Sequence, residues 1–267
     1  MGPAAAGYRR PVAASRDLDR TVALVTGASS GIGAAAARSL AERGAAVALV
    51  ARRAERLEQL AGEIADAGGT ALPLEADVSE QEQARSAVER AVEELGRLDV
   101  LVNNAGVMLL GPAVEAPLEE WERMIEVNLL GLLYTAHAAL PHLLAAAEEE
   151  PRRVADMVNI SSVAGRMARK GSGVYNATKH GVGAFSESLR QEVSGRHVRV
   201  SLVEPGAVDT ELQSHNRPEI EQEIRGRFED MDILRAEDIA DAISYVVTRP
   251  RHVAVNEILI RPTQQEQ

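Results

Sequence analysis

The chain contains no cysteine, which removes disulfides, thiolate metal sites and cysteine nucleophiles at once. It suits a reducing compartment, and a cytoplasmic location is the expectation. Aromatic residues make up only 3% of the chain, so an aromatic-lined steroid slot is not indicated. Lysine is almost missing: of 29 cationic residues, only Lys170 and Lys179 are not arginine. Each retained lysine therefore asks for a reason. Positive charge as a whole is in deficit, with a formal net charge of −11. That argues against nucleic acid or an anionic membrane as a partner, but a local arginine cluster can still bind an anion. No segment has the roughly 20 apolar residues of a membrane span, and Met1–Arg20 lacks a signal-peptide core. Residues 1–20 read as a flexible tail, and 21–267 as a single domain. The six histidines show no ligand spacing, so no metal site is expected.

What is present is an alternation. Short β-branched runs occupy 21–26, 45–51, 71–74, 98–102, 154–160, 198–203 and 255–260. They are apolar almost throughout, as strands buried on both faces should be. Helical stretches of about 32–43, 53–67, 79–95, 117–147, 174–194 and 236–248 lie between them. The alternation predicts an α/β fold with a doubly wound, parallel, seven-stranded sheet flanked by helices on both faces. Ligands of such sheets sit beyond the carboxyl ends of the strands. The polar stretch 207–235 interrupts the alternation after Pro205–Gly206, and a connection of that length at that edge reads as a substrate loop or lid.

The first strand runs into Thr26-Gly27-Ala28-Ser29-Ser30-Gly31-Ile32-Gly33 and then an alanine-rich helix. Gly27 turns the chain off the strand, Gly31 lets backbone approach a pyrophosphate, and Gly33 lets helix and strand pack closely. Ser29, Ser30 and Ile32 then lie where helix N–H groups face phosphates. The second strand ends in Ala51-Arg52-Arg53. An NAD site places a carboxylate about 20 residues beyond the glycines, on the ribose hydroxyls. Ala51 stands there instead, and an arginine binds a 2′-phosphate that a carboxylate would repel. NADP(H) is the expected cofactor, held at that end by Arg52 and Arg53. Asp77-Val78 follows the third strand and suits either a helix cap or an adenine contact.

The glycine turn, Asn103-Asn104-Ala105-Gly106, Tyr175-x-x-x-Lys179 and Pro205-Gly206 together resemble the short-chain dehydrogenases/reductases, from residue 21 to about 260 in order and spacing. The resemblance implies a Rossmann-like fold and an oxidoreductase. Such an enzyme moves a hydride between NADP(H) and a carbonyl or hydroxyl carbon of a small molecule. It implies that Asn104, Ala105 and Gly106 wall the cofactor pocket, and that Pro205, Gly206, Val208 and Thr210 hold the nicotinamide. Ser162, thirteen residues before Tyr175, takes the place of the family serine that polarises the substrate oxygen; Ser161 is the neighbour to be separated from it. Asn128, in an apolar helical run where asparagine is costly, matches the residue that anchors a proton-relay water. Homo-oligomers, dimers or tetramers, are usual in the family. Ala177, Gly181, Gly183 and Ala184 offer small residues for such pairing.

The residues support this chemistry on their own terms. Tyr175 and Lys179 are four apart and share a helix face, where a cation draws a phenol from near 10 towards neutrality. A compact ammonium also suits ribose hydroxyls better than a guanidinium does. Short stretches at 185–192 and 256–263 are similar to bacterial 3-hydroxy acid dehydrogenases and clavulanic acid dehydrogenase, pointing towards small aldehydes, ketones or hydroxy acids. Val107–Leu110, Val163–Lys170 and 207–235 are the candidate substrate walls. Arg166, Arg169 and Lys170 suit either a substrate carboxylate or a solvated basic loop. The competing class is a non-catalytic NADP(H)-binding regulator on the same fold.

Overall fold

Alternate residues of the apolar runs face opposite sides of one sheet. In the strand Val22–Thr26, Ala23 and Val25 join one buried cluster while Val22 and Leu24 join another. The computed structural model describes residues 16–228 and 230–266. Seven strands run parallel: β1 Val22–Thr26, β2 Ala46–Ala51, β3 Thr70–Glu75, β4 Val100–Asn103, β5 Ala155–Ile160, β6 Val198–Pro205 and β7 Glu257–Ile260. Their order is β3-β2-β1-β4-β5-β6-β7. Pro73 falls in β3, an edge strand, where a missing N–H is tolerated.

Helices cover both faces. α1 (Gly31–Glu42), α2 (Ala54–Asp66) and α8 (Ala236–Val247) bury their apolar stripes on one side. On the other lie α3 (Gln81–Leu95), α5 (Gly131–Ala146), which follows α4 (Leu118–Ile125), and α6 (Gly173–Val193). Fully buried leucines such as Leu24, Leu40, Leu49, Leu101 and Leu143 each contribute about 1.5–3 kcal/mol.

Three expectations need correction. The flexible tail does not extend to residue 20: Leu18 is fully buried and its N–H donates to the Arg43 carbonyl at 3.0 Å. Residues 1–15 lie outside the described residues. Leu118–Ala146 is, by length and composition, long and apolar enough to cross a membrane, contrary to the sequence reading. Here α5 packs on α3, β4 and β5, and it buries Leu132, Ala136, Ala139 and Leu143. The run is also not one regular helix, since α4 and α5 join through a π turn at Glu126–Leu130 centred on Asn128. Finally, 207–235 is not a bare loop. It carries α7, Pro218–Phe228, with proline at the first helical position where its missing N–H costs nothing. A bridge between Val208 and Leu234 closes its base.

A buried polar network fastens the helices to the sheet beneath the strand ends. Asn103 on β4 donates to Asn159 Oδ1 on β5 at 2.9 Å and accepts from Thr135 of α5 at 2.6 Å. Asn159 Nδ2 donates to Ser186 of α6 at 2.8 Å, and Ser186 donates to the Val182 carbonyl. Every member is satisfied, so the network specifies one position of α5 and α6 against the sheet. Asn159→Ala should lower the unfolding free energy by about 2–3 kcal/mol, because two buried partners lose their bonds. Urea denaturation should show an earlier midpoint at an unchanged slope. A loss below about 0.5 kcal/mol would mean that packing alone positions α6.

Candidate active site

The strand order reverses between β1 and β4, and a cleft of about 870 Å³ opens over their carboxyl ends. Thr26 and Asn104 join its floor. Thr26 Oγ1 accepts from the Asn104 and Ala105 amides, both at 3.0 Å, and Asn104 Nδ2 returns a bond to the Thr26 carbonyl at 2.9 Å. Gly27 and Gly31 have φ of +67° and +51°, a conformation that L side chains avoid. At Gly33 a Cβ would stand 2.3 Å from the Gly27 carbonyl oxygen, so helix and strand approach as closely as backbone permits. No side chain caps α1, which leaves its first amides available to an anion. This cradle fits a dinucleotide pyrophosphate.

Every predicted site residue lines this cleft except Gly33, which lies beneath the turn, and Asn128. At the outer end Arg53 donates to Ser29 Oγ at 2.9 Å and to Ser30 Oγ at 2.8 Å, while Arg52 lies 3.6 Å from Asp77. Both expected arginines line this end, and Arg53 is the one turned onto the serines. Asp77 Oδ1 accepts from the Ser79 amide and hydroxyl at 3.0 and 2.7 Å, so it both caps the turn and faces the cleft. Burial raises its carboxyl, but the Ser79 bonds, with Arg52 and Arg123 nearby, outweigh this and hold it below the ordinary range.

The inner end is buried. Tyr175 and Lys179 are 7% and 6% exposed. The Tyr175 phenol meets Ser162, whose Oγ accepts from the Ala164 amide at 3.1 Å. Ser161 turns the other way, its hydroxyl 3.3 Å from the Lys179 carbonyl. The two serines are thus distinguished, and Ser162 is the one against Tyr175. The expectation that Lys179 lowers the Tyr175 phenol is corrected for the free chain. Burial raises Tyr175 above its ordinary value, and the Ser162 bond pulls only partly back. Lys179 Nζ lies 5.9 Å from the ring centroid and donates to the Ile160 carbonyl at 2.8 Å. Burial pushes Lys179 itself down to about 8. The site therefore holds a protonated phenol beside an amine that titrates near working pH.

Asn128 does not reach the cleft. Its Oδ1 accepts from the Val107 amide at 2.7 Å, and its Nδ2 donates to the Val107 carbonyl at 2.9 Å and to Thr178 at 3.3 Å. The side chain clamps the wall after β4 onto α6. Gly106 brings the two neighbourhoods together: a Cβ there would lie 3.3 Å from Asn128 Oδ1 and 3.9 Å from Lys179 Nζ. Among the candidate substrate residues, Val107, Met108, Leu110, Val163, Ala164 and Arg169 line the cleft. Arg166 does not: it is bound to Glu204 and Glu257 on β6 and β7. The lid adds Glu211, His215, Ile224, Phe228 and Met231, and the C-terminal end adds Gln265. The lid residues fall within the 207–235 segment expected to wall the substrate, and the Val208–Leu234 bridge together with the Glu211 contacts to Arg53 and Arg56 holds that segment over the cleft. Gln265 belongs to no motif and reaches the cleft through the tertiary fold.

Known proteins share this arrangement. The family model for short chain dehydrogenase matches residues 21–221. Glycine betaine reductase ATRR of Emericella nidulans is 41% identical over 92% of this chain, which spans only 19% of that longer protein. A closed form of serine dehydrogenase complexed with NADP+ is 34% identical, with a TM-score of 0.82, over 92% of this chain and 97% of that one. A short chain dehydrogenase/reductase from Burkholderia phymatum in complex with NAD is 26% identical, with a TM-score of 0.81, over 91% of this chain and 89% of that one.

The geometry makes the glycine turn testable without a substrate. Gly33→Ala should weaken both NADPH and NADH by at least about tenfold, or 1.4 kcal/mol, read by quenching or enhancement of nicotinamide fluorescence. Unchanged far-UV circular dichroism would show that the fold survives. Binding at wild-type strength would mean the cradle is not the pyrophosphate site.

Proposed function

The chain belongs to the short chain dehydrogenase family, and from that premise we propose that this dehydrogenase/reductase uses NADP(H) to interconvert a small aldehyde or ketone and its alcohol or hydroxy acid. The observation that carries the reading is the convergence of Ser162, Tyr175 and Lys179 at the buried end of a cleft whose other end bears Arg52 and Arg53. A bound nicotinamide would supply or accept the hydride. The residues do the rest. Ser162 holds the substrate oxygen and stabilises charge that develops on it. Tyr175, kept protonated by burial, donates its proton to that oxygen, and Lys179 restores it. Asn128 keeps α6 and the wall after β4 in register around this pair. The arginines at the outer end, with alanine rather than an acid at position 51, support NADP(H) over NAD(H).

Absorbance at 340 nm with NADPH and with NADH, across aldehydes, β-keto acids and α-diketones, tests both parts of the reading. NADPH should be oxidised preferentially. Tyr175→Phe should lower kcat by about 10²–10⁴ with little change in NADPH binding; near-wild-type turnover would sink the assignment. The pH profile is a separate check. Lys179 is an ammonium below its value of about 8 and an amine above it, so it loses its capacity to resupply the proton as pH rises. Reductive kcat/KM should therefore fall above about pH 8. In Lys179→Arg, whose guanidinium stays charged, the residual activity should lose that limb. A limb that persists would assign it to another group.

A further inference from the structure

At the arginine end of the cleft an anion already stands in place, and it belongs to the chain itself. Glu211 follows Thr210 at the start of the lid. Its Oε2 accepts from Arg53 Nη1 at 2.9 Å and its Oε1 from Arg56 Nη1 at 2.6 Å. Ser30 also hydrogen-bonds this carboxylate. The same Arg53 grips Ser29 and Ser30 on the glycine turn. Two guanidiniums and a hydroxyl thus form a cradle of the kind that suits a phosphate. Beside it, the Thr210 methyl lies over Gly31, where an added Cβ would come within 3.1 Å. Two consecutive lid residues therefore cover the turn and its flanking cations together.

The contact is built to exchange. The three charged side chains are 42–48% exposed, so the pair is neither locked by burial nor shielded from a competing anion. Glu211 is held at about 2, chiefly by its bonds to Arg56 and Arg53, and stays charged at any working pH. Its release therefore depends on a competing anion, not on protonation. A phosphate monoester offers three acceptor oxygens and more than one negative charge, and it outcompetes a carboxylate on paired arginines.

We propose that Glu211 is an intramolecular occupant of the 2′-phosphate site, which the cofactor must displace, so that Glu211 sets how far NADP(H) is preferred over NAD(H). The inference rests on the NADP(H) reading above. With Glu211 in place the lid supplies, from a distant part of the chain, a carboxylate at the arginine end of the cleft, which Ala51 also lines. It narrows the cofactor preference that Arg52 and Arg53 create.

The test is binding without turnover. Adenosine 2′,5′-bisphosphate and 5′-AMP are titrated calorimetrically, and NADPH and NADH by fluorescence, into the wild type, Glu211→Gln, Arg53→Ala and the double variant. Glu211→Gln should tighten the bisphosphate and NADPH about three- to tenfold, the size that two exposed ion pairs carry. It should leave 5′-AMP and NADH within about twofold, and the gain should vanish when Arg53 is also absent. Weaker bisphosphate binding would overturn the proposal, since Glu211 would then be holding the arginines ready. Equal tightening of all four ligands would overturn it too, as a general loosening of the lid. If Arg53→Ala left the bisphosphate no weaker relative to 5′-AMP, the NADP(H) reading would fall and take this proposal with it. Failure of Glu211→Gln alone would leave that reading standing.

Discussion

The site depends on the carboxyl ends of β1 and β4 remaining side by side. At this point the strand order reverses, so the connections leave towards opposite faces and a crevice opens between them. Main-chain pairing alone would end here, because the strands diverge into loops. Thr26 and Asn104 extend it by three side-chain bonds between the last residue of one strand and the first residues beyond the other. The glycine turn sits on that join, and Gly33 can pack on the Gly27 carbonyl only while the join holds.

Opposite physics governs the two ends of the cleft. At the inner end desolvation dominates: burial disfavours both the phenolate of Tyr175 and the ammonium of Lys179, and brings the lysine to about 8. The neutral phenol and the neutral amine are the forms that this burial favours. At the outer end charge dominates. Arginines stay ionised whatever the surroundings, and a few of them make a local positive field in a chain whose net charge is −11. The lid crosses this end, where Thr210 and Glu211 meet the turn and the arginines.

Below the cleft the architecture is conventional in its energetics and specific in its polar contacts. Leucines, valines and alanines on the two sheet faces supply the bulk of the stability. The Asn103–Asn159–Ser186 chain and the Asn128 clamp add little net energy by comparison. They do decide which turn of α6 faces the substrate. A shift of α6 by one residue would turn Tyr175 and Lys179 out of the cleft.

Local sequence determined the elements and most of the site. The β-branched runs, the glycine spacing and the Tyr175/Lys179 interval each act within a few residues, through sterics and helix periodicity, so they are legible without coordinates. The seven-stranded sheet and the clustering of the predicted residues in one cleft followed from them. Tertiary structure decided what depends on partners distant in the chain. It tied Arg166 to Glu204 and Glu257, and turned Ser162 rather than Ser161 onto Tyr175. It spent the Asn128 amide on Val107 and brought Glu211 to Arg53 and Arg56. It also reversed the expected shift of Tyr175, because a phenol's proton affinity depends on how much water and charge the packed fold leaves around it.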